Sequence, residues 1–123
     1  MDSNKSILII DDDSRNIFAL TLYLKAKGFR SVSALSAKEG MEKLKTEKDV
    51  AIVLMDMMMP EMDGYEAINT IKAQREFADL PIIAVTAQAM TGDKEKCLAA
   101  GASGYISKPI DMDKLIEVIK DLV

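Results

Sequence analysis

The sequence contains no histidine. That absence removes zinc chemistry with imidazole ligands and any Ser-His-Asp triad. It also prevents the chain from carrying a phosphohistidine, so any phosphohistidine donor has to be another molecule. Cysteine occurs once, at Cys97. No internal disulfide can form, and a reducing, cytoplasmic compartment is expected. No signal peptide is expected, and the apolar runs at residues 7–10, 51–55 and 82–85 are far too short to span a bilayer. Nor is there a run of Lys and Arg. The 16 basic and 20 acidic residues leave a net charge of −4, so direct nucleic-acid binding is not expected. Linkers, repeats and low-complexity segments are missing too. With 123 residues, the chain is expected to be one domain over 1–123, able to bury a core without disulfides or a structural metal.

Short apolar runs alternate with helical patterns. Ile7-Leu8-Ile9-Ile10 is a continuous apolar run that ends in acid, as a buried parallel strand does. Ile17, Leu20 and Leu24 then share one helical face, with Gly28 placed to stop the helix. A weaker strand covers about Ser31 to Leu35. Ser36 and Glu39 form a capping box that opens a helix through Met41 and Leu44. Val50 to Met55 reads as a second strong strand ending at Asp56, followed by a Pro60–Gly64 loop and a helix carrying Ala67, Ile68 and Ile71. Pro81 opens a strand over Ile82 to Val85. A helix from about Thr91 to Ala100 ends at Gly101, a short strand covers Tyr105-Ile106, and Asp111 caps a last helix with Leu115, Val118, Ile119 and Leu122. Five strands alternating with five helices predict parallel βαβ units, hence an open α/β sheet with helices on both faces.

In such sheets ligands bind beyond the carboxyl ends of the strands. Asp11 and Asp12 follow the first predicted strand, Asp56 the third, Thr86 the fourth and Lys108 the fifth. Parallel strands bring these ends to one edge. Three carboxylates packed together repel one another unless a cation sits among them, and an all-oxygen set suits Mg²⁺. Asp56 is the expected nucleophile for an acyl phosphate. Lys108 would supply a point charge, Thr86 a hydroxyl donor, and the Met58 carbonyl a further metal ligand. Taken singly, these residues have plainer readings: Asp13 reads better as a helix cap than as a ligand, Thr86 as a loop hydroxyl, Lys108 as a surface charge and Tyr105 as a half-buried strand residue. Their joint placement at strand ends is what favours chemistry.

The segments SILIIDDD, VLMDMMMPEMDGYEA, IIAVTA and GASGYISKPI resemble the receiver domains of two-component response regulators, from about Ser6 to Leu122. The resemblance implies a flavodoxin-like (βα)5 doubly wound sheet of strand order 2-1-3-4-5. It implies that Asp56 is the phosphoacceptor, that Asp11, Asp12, Asp56 and the Met58 carbonyl hold Mg²⁺, and that Lys108, followed by a cis peptide to Pro109, contacts the phosphoryl group. Thr86 and Tyr105 match a switch pair that remodels the surface of the fourth helix, fifth strand and fifth helix. The implied partner is a histidine kinase or a histidine phosphotransfer protein, and dimerisation on phosphorylation is possible through the remodelled face. Ser14-Arg15-Asn16 and the Met-rich stretch before Pro60 also resemble receivers of hybrid sensor kinases and phosphorelays. The domain is expected to catalyse its own phosphorylation and dephosphorylation without turning over a small-molecule substrate, with Met58 and Gln88 tuning the phosphate's lifetime.

Three rival readings fit these residues less well. Asp11-x-Asp13 resembles the nucleophile motif of haloacid-dehalogenase-type phosphatases, but Arg15 stands where that motif has Thr or Val. A pseudo-receiver usually lacks an acid, the Thr or the Lys, and all are present here. A flavodoxin-like cofactor binder would follow its first strand with a hydroxyl- and Gly-rich loop, where this chain has three acids that repel phosphate.

Overall fold

The computed structural model of the chain describes residues 5–59, 64–86 and 93–123. Its elements run β1 (Ser6–Ile10), α1 (Ser14–Ala26), β2 (Arg30–Ala34), α2 (Ala37–Thr46), β3 (Val50–Asp56), α3 (Gly64–Ala73), a 3-10 turn (Arg75–Phe77), β4 (Ile82–Thr86), α4 (Asp93–Ala100), β5 (Gly104–Ser107) and α5 (Met112–Leu122). All strand pairs are parallel, in the order β2-β1-β3-β4-β5. The expected doubly wound sheet is therefore present.

The apolar strands are buried on both faces, and their two-residue period sorts the side chains between two cores. Leu8, Ile10, Val53, Met55, Ile82 and Ala84 join α2, α3 and α4 residues such as Leu44, Ile68 and Cys97. Ile7, Ile9, Ile52, Leu54, Ile83 and Val85 pack instead with Leu20 and Leu24 of α1 and with Leu115 and Ile119 of α5. Gly40 lets α2 lie close against the sheet, because a Cβ there would overlap the Ile10 side chain.

Helix ends follow the sequence signals. Gly28, at φ +88°, closes α1: its amide donates to Lys25 O at 3.0 Å and that of Phe29 to Leu24 O at 2.9 Å, satisfying carbonyls the helix leaves open. Ser36 Oγ accepts from the Glu39 amide at 3.1 Å. The return bond of the capping box differs from the expected form, since the Glu39 carboxylate accepts from Leu35, one residue before the cap, at 3.3 Å.

Differences from the expected elements are small. β2 begins and ends one residue early, β3 includes Asp56, and β5 extends over Gly104–Ser107. The 3-10 turn carries no apolar periodicity, and its three residues left no signal in the sequence. Residues 60–63 of the expected loop, and residues 91–92 of the expected fourth helix, lie outside the described residues. No helix among the described residues is long and apolar enough to cross a membrane.

Candidate functional site

The backbone clamps the strand ends together before each chain segment turns away. Asp11 N donates to Ala34 O at 3.1 Å, Met57 N to Val85 O at 2.8 Å and Lys108 N to Thr86 O at 2.6 Å. Asp56 stands opposite Val85, and Thr86 opposite Ser107. One carboxylate oxygen from each of Asp11, Asp12 and Asp56 lies within 4.8 Å of the others. Asp11 and Asp56 are each only 4% exposed, while Asp12 lies open to solvent.

Each buried acid has its own support. Asp56 Oδ1 accepts from the Met58 amide at 2.9 Å, and Oδ2 lies 3.4 Å from Lys108 Nζ. Asp11 Oδ1 accepts from the Asp13 amide at 2.9 Å. Burial pushes the Asp11 carboxyl above its ordinary pKa, and the charge of Asp56 adds to that rise. The Asp13 amide and Lys108 act the other way without overcoming it. Lys108 thus brings one positive charge to three carboxylates, and the excess negative charge and all-oxygen donor set fit a hard divalent cation such as Mg²⁺.

Asp13 is the helix cap expected of it: its side chain accepts from the Arg15 amide at 2.9 Å. That bond holds its carboxyl below the ordinary carboxylate range. Asp111 likewise accepts from the amides of Asp113, at 3.1 Å, and Lys114, at 3.2 Å. Asp11, Asp13, Asp56 and Asp111 all accept from the amide two residues on. This Asx geometry is a local habit of aspartate after a strand or before a helix.

Thr86 is buried at the end of β4, and its hydroxyl donates to Met58 Sδ at 4.0 Å. Tyr105 stands opposite Ala84, half-buried against the core on the α2–α3–α4 side. The peptide between Lys108 and Pro109 is cis. Asp11, Asp12, Asp56, Thr86, Lys108 and Met58 therefore converge at one edge, with Tyr105 set back along β5; Gln88 lies outside the described residues. Two contributions went unread in the sequence. The Met58 amide holds Asp56, which the Asx habit could have signalled. Asn16 borders a cavity of about 210 Å³ beside Lys108, together with Ala19, Leu20, Pro109, Ile110 and Met112, and no local pattern signalled that.

Residues 7–120 match the family model for the response regulator receiver domain. The chain is a response regulator receiver domain. Members of this family accept a phosphoryl group on aspartate, with Mg²⁺, in two-component signal transduction, and they interact with histidine kinases or phosphotransfer proteins. The receiver is 36% identical over 116 residues to the polar-differentiation response regulator DivK of Brucella ovis, covering 94% of each chain. Among solved structures it resembles a response regulator receiver protein from Pseudomonas putida, with a TM-score of 0.89, 30% identity and coverage of 98% of this chain and 99% of that one. It also resembles the receiver domain of a sensor histidine kinase from Pseudomonas aeruginosa, whose active-site cleft coordinates a magnesium ion; there the TM-score is 0.85, with 30% identity and 97% coverage of both chains.

Proposed function

We propose that Asp56 is the phosphoacceptor of this receiver. The observation that carries the reading is a carboxylate only 4% exposed, held between the Met58 amide and the Lys108 amine within a cluster of acids. An Asp56 oxygen attacks phosphorus, the P–O bond forms as the donor's P–N bond breaks, and the donor ring, already protonated on its other nitrogen, leaves as neutral imidazole. Transfer of this kind depends on positioning and on neutralising the equatorial oxygens. Lys108 supplies a fixed positive charge to those oxygens. Thr86, at the next strand end, supplies a hydroxyl donor. The Met58 amide orients Asp56 by holding one of its oxygens.

Asp11, Asp12, Asp56 and the Met58 carbonyl are the groups that would hold Mg²⁺. The ion, when bound, supplies further neutralisation of phosphoryl charge. The clustering of three carboxylates supports this assignment, as does the magnesium in the cleft of the Pseudomonas aeruginosa receiver.

The partner is a histidine kinase or histidine phosphotransfer protein, since the chain has no histidine of its own. We assign residues 1–123 to a single receiver domain in the cytoplasm, where its one cysteine stays reduced. Similarity to the receiver of a sensor histidine kinase supports a place in a hybrid kinase or phosphorelay. Phosphorylation recruits Thr86 towards the phosphoryl group and turns Tyr105, altering the face built from α4, β5 and α5. A cavity of about 570 Å³ on that face, lined by Leu98, Tyr105 and Val118 between Lys94 and Lys114, supports an output partner or a phosphorylation-dependent dimer there. Net charge −4 favours a protein over nucleic acid as that partner. The domain acts on its own aspartyl phosphate and turns over no separate small molecule, with Met58 and Gln88 setting the lifetime.

The test is intact-protein mass after incubation with acetyl phosphate, with and without Mg²⁺, for the parent and Asp56→Asn. One phosphoryl group gained only by the parent, and only with Mg²⁺, is the expected result. A parent that gains none, from acetyl phosphate or from a phosphohistidine protein, leaves the pseudo-receiver as the better reading.

A further inference from the structure

The methionines around the site differ sharply in access. Met55 is wholly buried and Met59 is 6% exposed, whereas Met58 is 47% exposed. The sulfur of Met58 also accepts from the Thr86 hydroxyl, at 4.0 Å, and its amide holds the Asp56 carboxylate. One solvent-accessible thioether therefore touches both a hydroxyl and, through its own backbone, the acid of the site.

We propose that Met58 is an oxidation site whose sulfoxide captures the Thr86 hydroxyl. The oxidant is hydrogen peroxide. The sulfur lone pair attacks one peroxide oxygen, the S–O bond forms as the O–O bond breaks, sulfur loses two electrons, and the remaining hydroxide leaves as water with the proton of the transferred oxygen. A thioether sulfur is a weak acceptor, so the Thr86 hydroxyl turns from it readily towards a better acceptor. The sulfoxide oxygen is a strong acceptor on the same side chain and keeps that hydroxyl. This rests on the reading that Thr86 donates to the phosphoryl group of Asp56. Oxidised protein accepts phosphoryl groups about tenfold more slowly, the worth of one hydrogen bond to a charged oxygen.

The test treats the parent and Met58→Leu with hydrogen peroxide and follows three readouts. Peptide mass mapping should find Met58 oxidised several-fold faster than Met55 and Met59. The NMR signals of the Thr86 methyl and amide should move in the parent and stay in place in Met58→Leu. Phosphoryl uptake from acetyl phosphate should slow in the oxidised parent, recover after methionine sulfoxide reductase, and respond to peroxide far less in Met58→Leu. The variant also separates Met58 from the other methionines. Oxidation of Met58 no faster than that of Met55, a Thr86 signal unmoved by oxidation, or an equal loss of uptake in Met58→Leu would each overturn the proposal. If unoxidised parent takes up no phosphoryl group from acetyl phosphate or from a phosphohistidine protein, the Asp56 reading fails, while the mapping and the Thr86 signals still decide the role of Met58.

Discussion

Replacing Asp11 with Asn should stabilise the metal-free receiver. Asp11 and Asp56 are both 4% exposed, and their nearest oxygens fall within 4.8 Å. Two unit charges at that separation repel by about 3 kcal/mol at an effective dielectric constant near 20. Attraction between Asp11 and Lys108 offsets part of this, and Asn keeps an oxygen to accept from the Asp13 amide. A net gain of about 2 kcal/mol is expected at neutral pH, or roughly 5–10 °C in Tm for a domain of this size.

The pH dependence follows from the raised pKa of Asp11. The folded parent holds this proton at pH values where the unfolded chain, with an ordinary value of 3.8, has released it. The folded state then binds more protons than the unfolded one, so the parent loses stability as pH rises through the window above 3.8. The advantage of Asp11→Asn should therefore be full at neutral pH and shrink as pH falls towards that value. Urea denaturation in EDTA, repeated across this range, measures it. Adding Mg²⁺ should stabilise the parent more than the variant. A variant equal to or weaker than the parent in EDTA at neutral pH would refute the charge-crowding argument.

Two further outcomes are expected. Asp12→Ala should abolish Mg²⁺-dependent phosphorylation and still gain some stability without metal, but less than Asp11→Asn, because the Asp12 carboxylate is solvated; thermal melts in EDTA compare the two, and a larger gain for Asp12→Ala would contradict the burial argument. Ser6→Ala should raise stability by about 1 kcal/mol in urea titrations, since Ser6 Oγ is buried with no hydrogen-bond partner among the described residues; a loss would show that the hydroxyl is satisfied.

Much of the site was legible because parallel topology is a strong constraint. Once Ile7–Ile10, Val50–Met55 and Ile82–Val85 read as buried strands, the residues after them had to share an edge, and Asp11, Asp56, Thr86 and Lys108 do share one. Capping was legible for a related reason. The bonds of Asp13 and Asp111 to amides two residues on, and of Ser36 to one three residues on, span a few atoms of chain and need no distant partner.

Burial and side-chain direction were not legible. Adjacent acids in one string, Asp11 and Asp12, end in opposite environments, because β1 is paired between β2 and β3 up to Ile10 and the chain then leaves the sheet for α1. Neither composition nor spacing distinguishes them. The Met58 sulfur meets the Thr86 hydroxyl across 28 positions of chain, a contact fixed by how β3 and β4 align. Local chemistry and strand period are written residue by residue in the sequence. Which carboxylate loses its water, and which thioether touches which hydroxyl, depends on packing between segments far apart in the chain, and only the tertiary structure decided it.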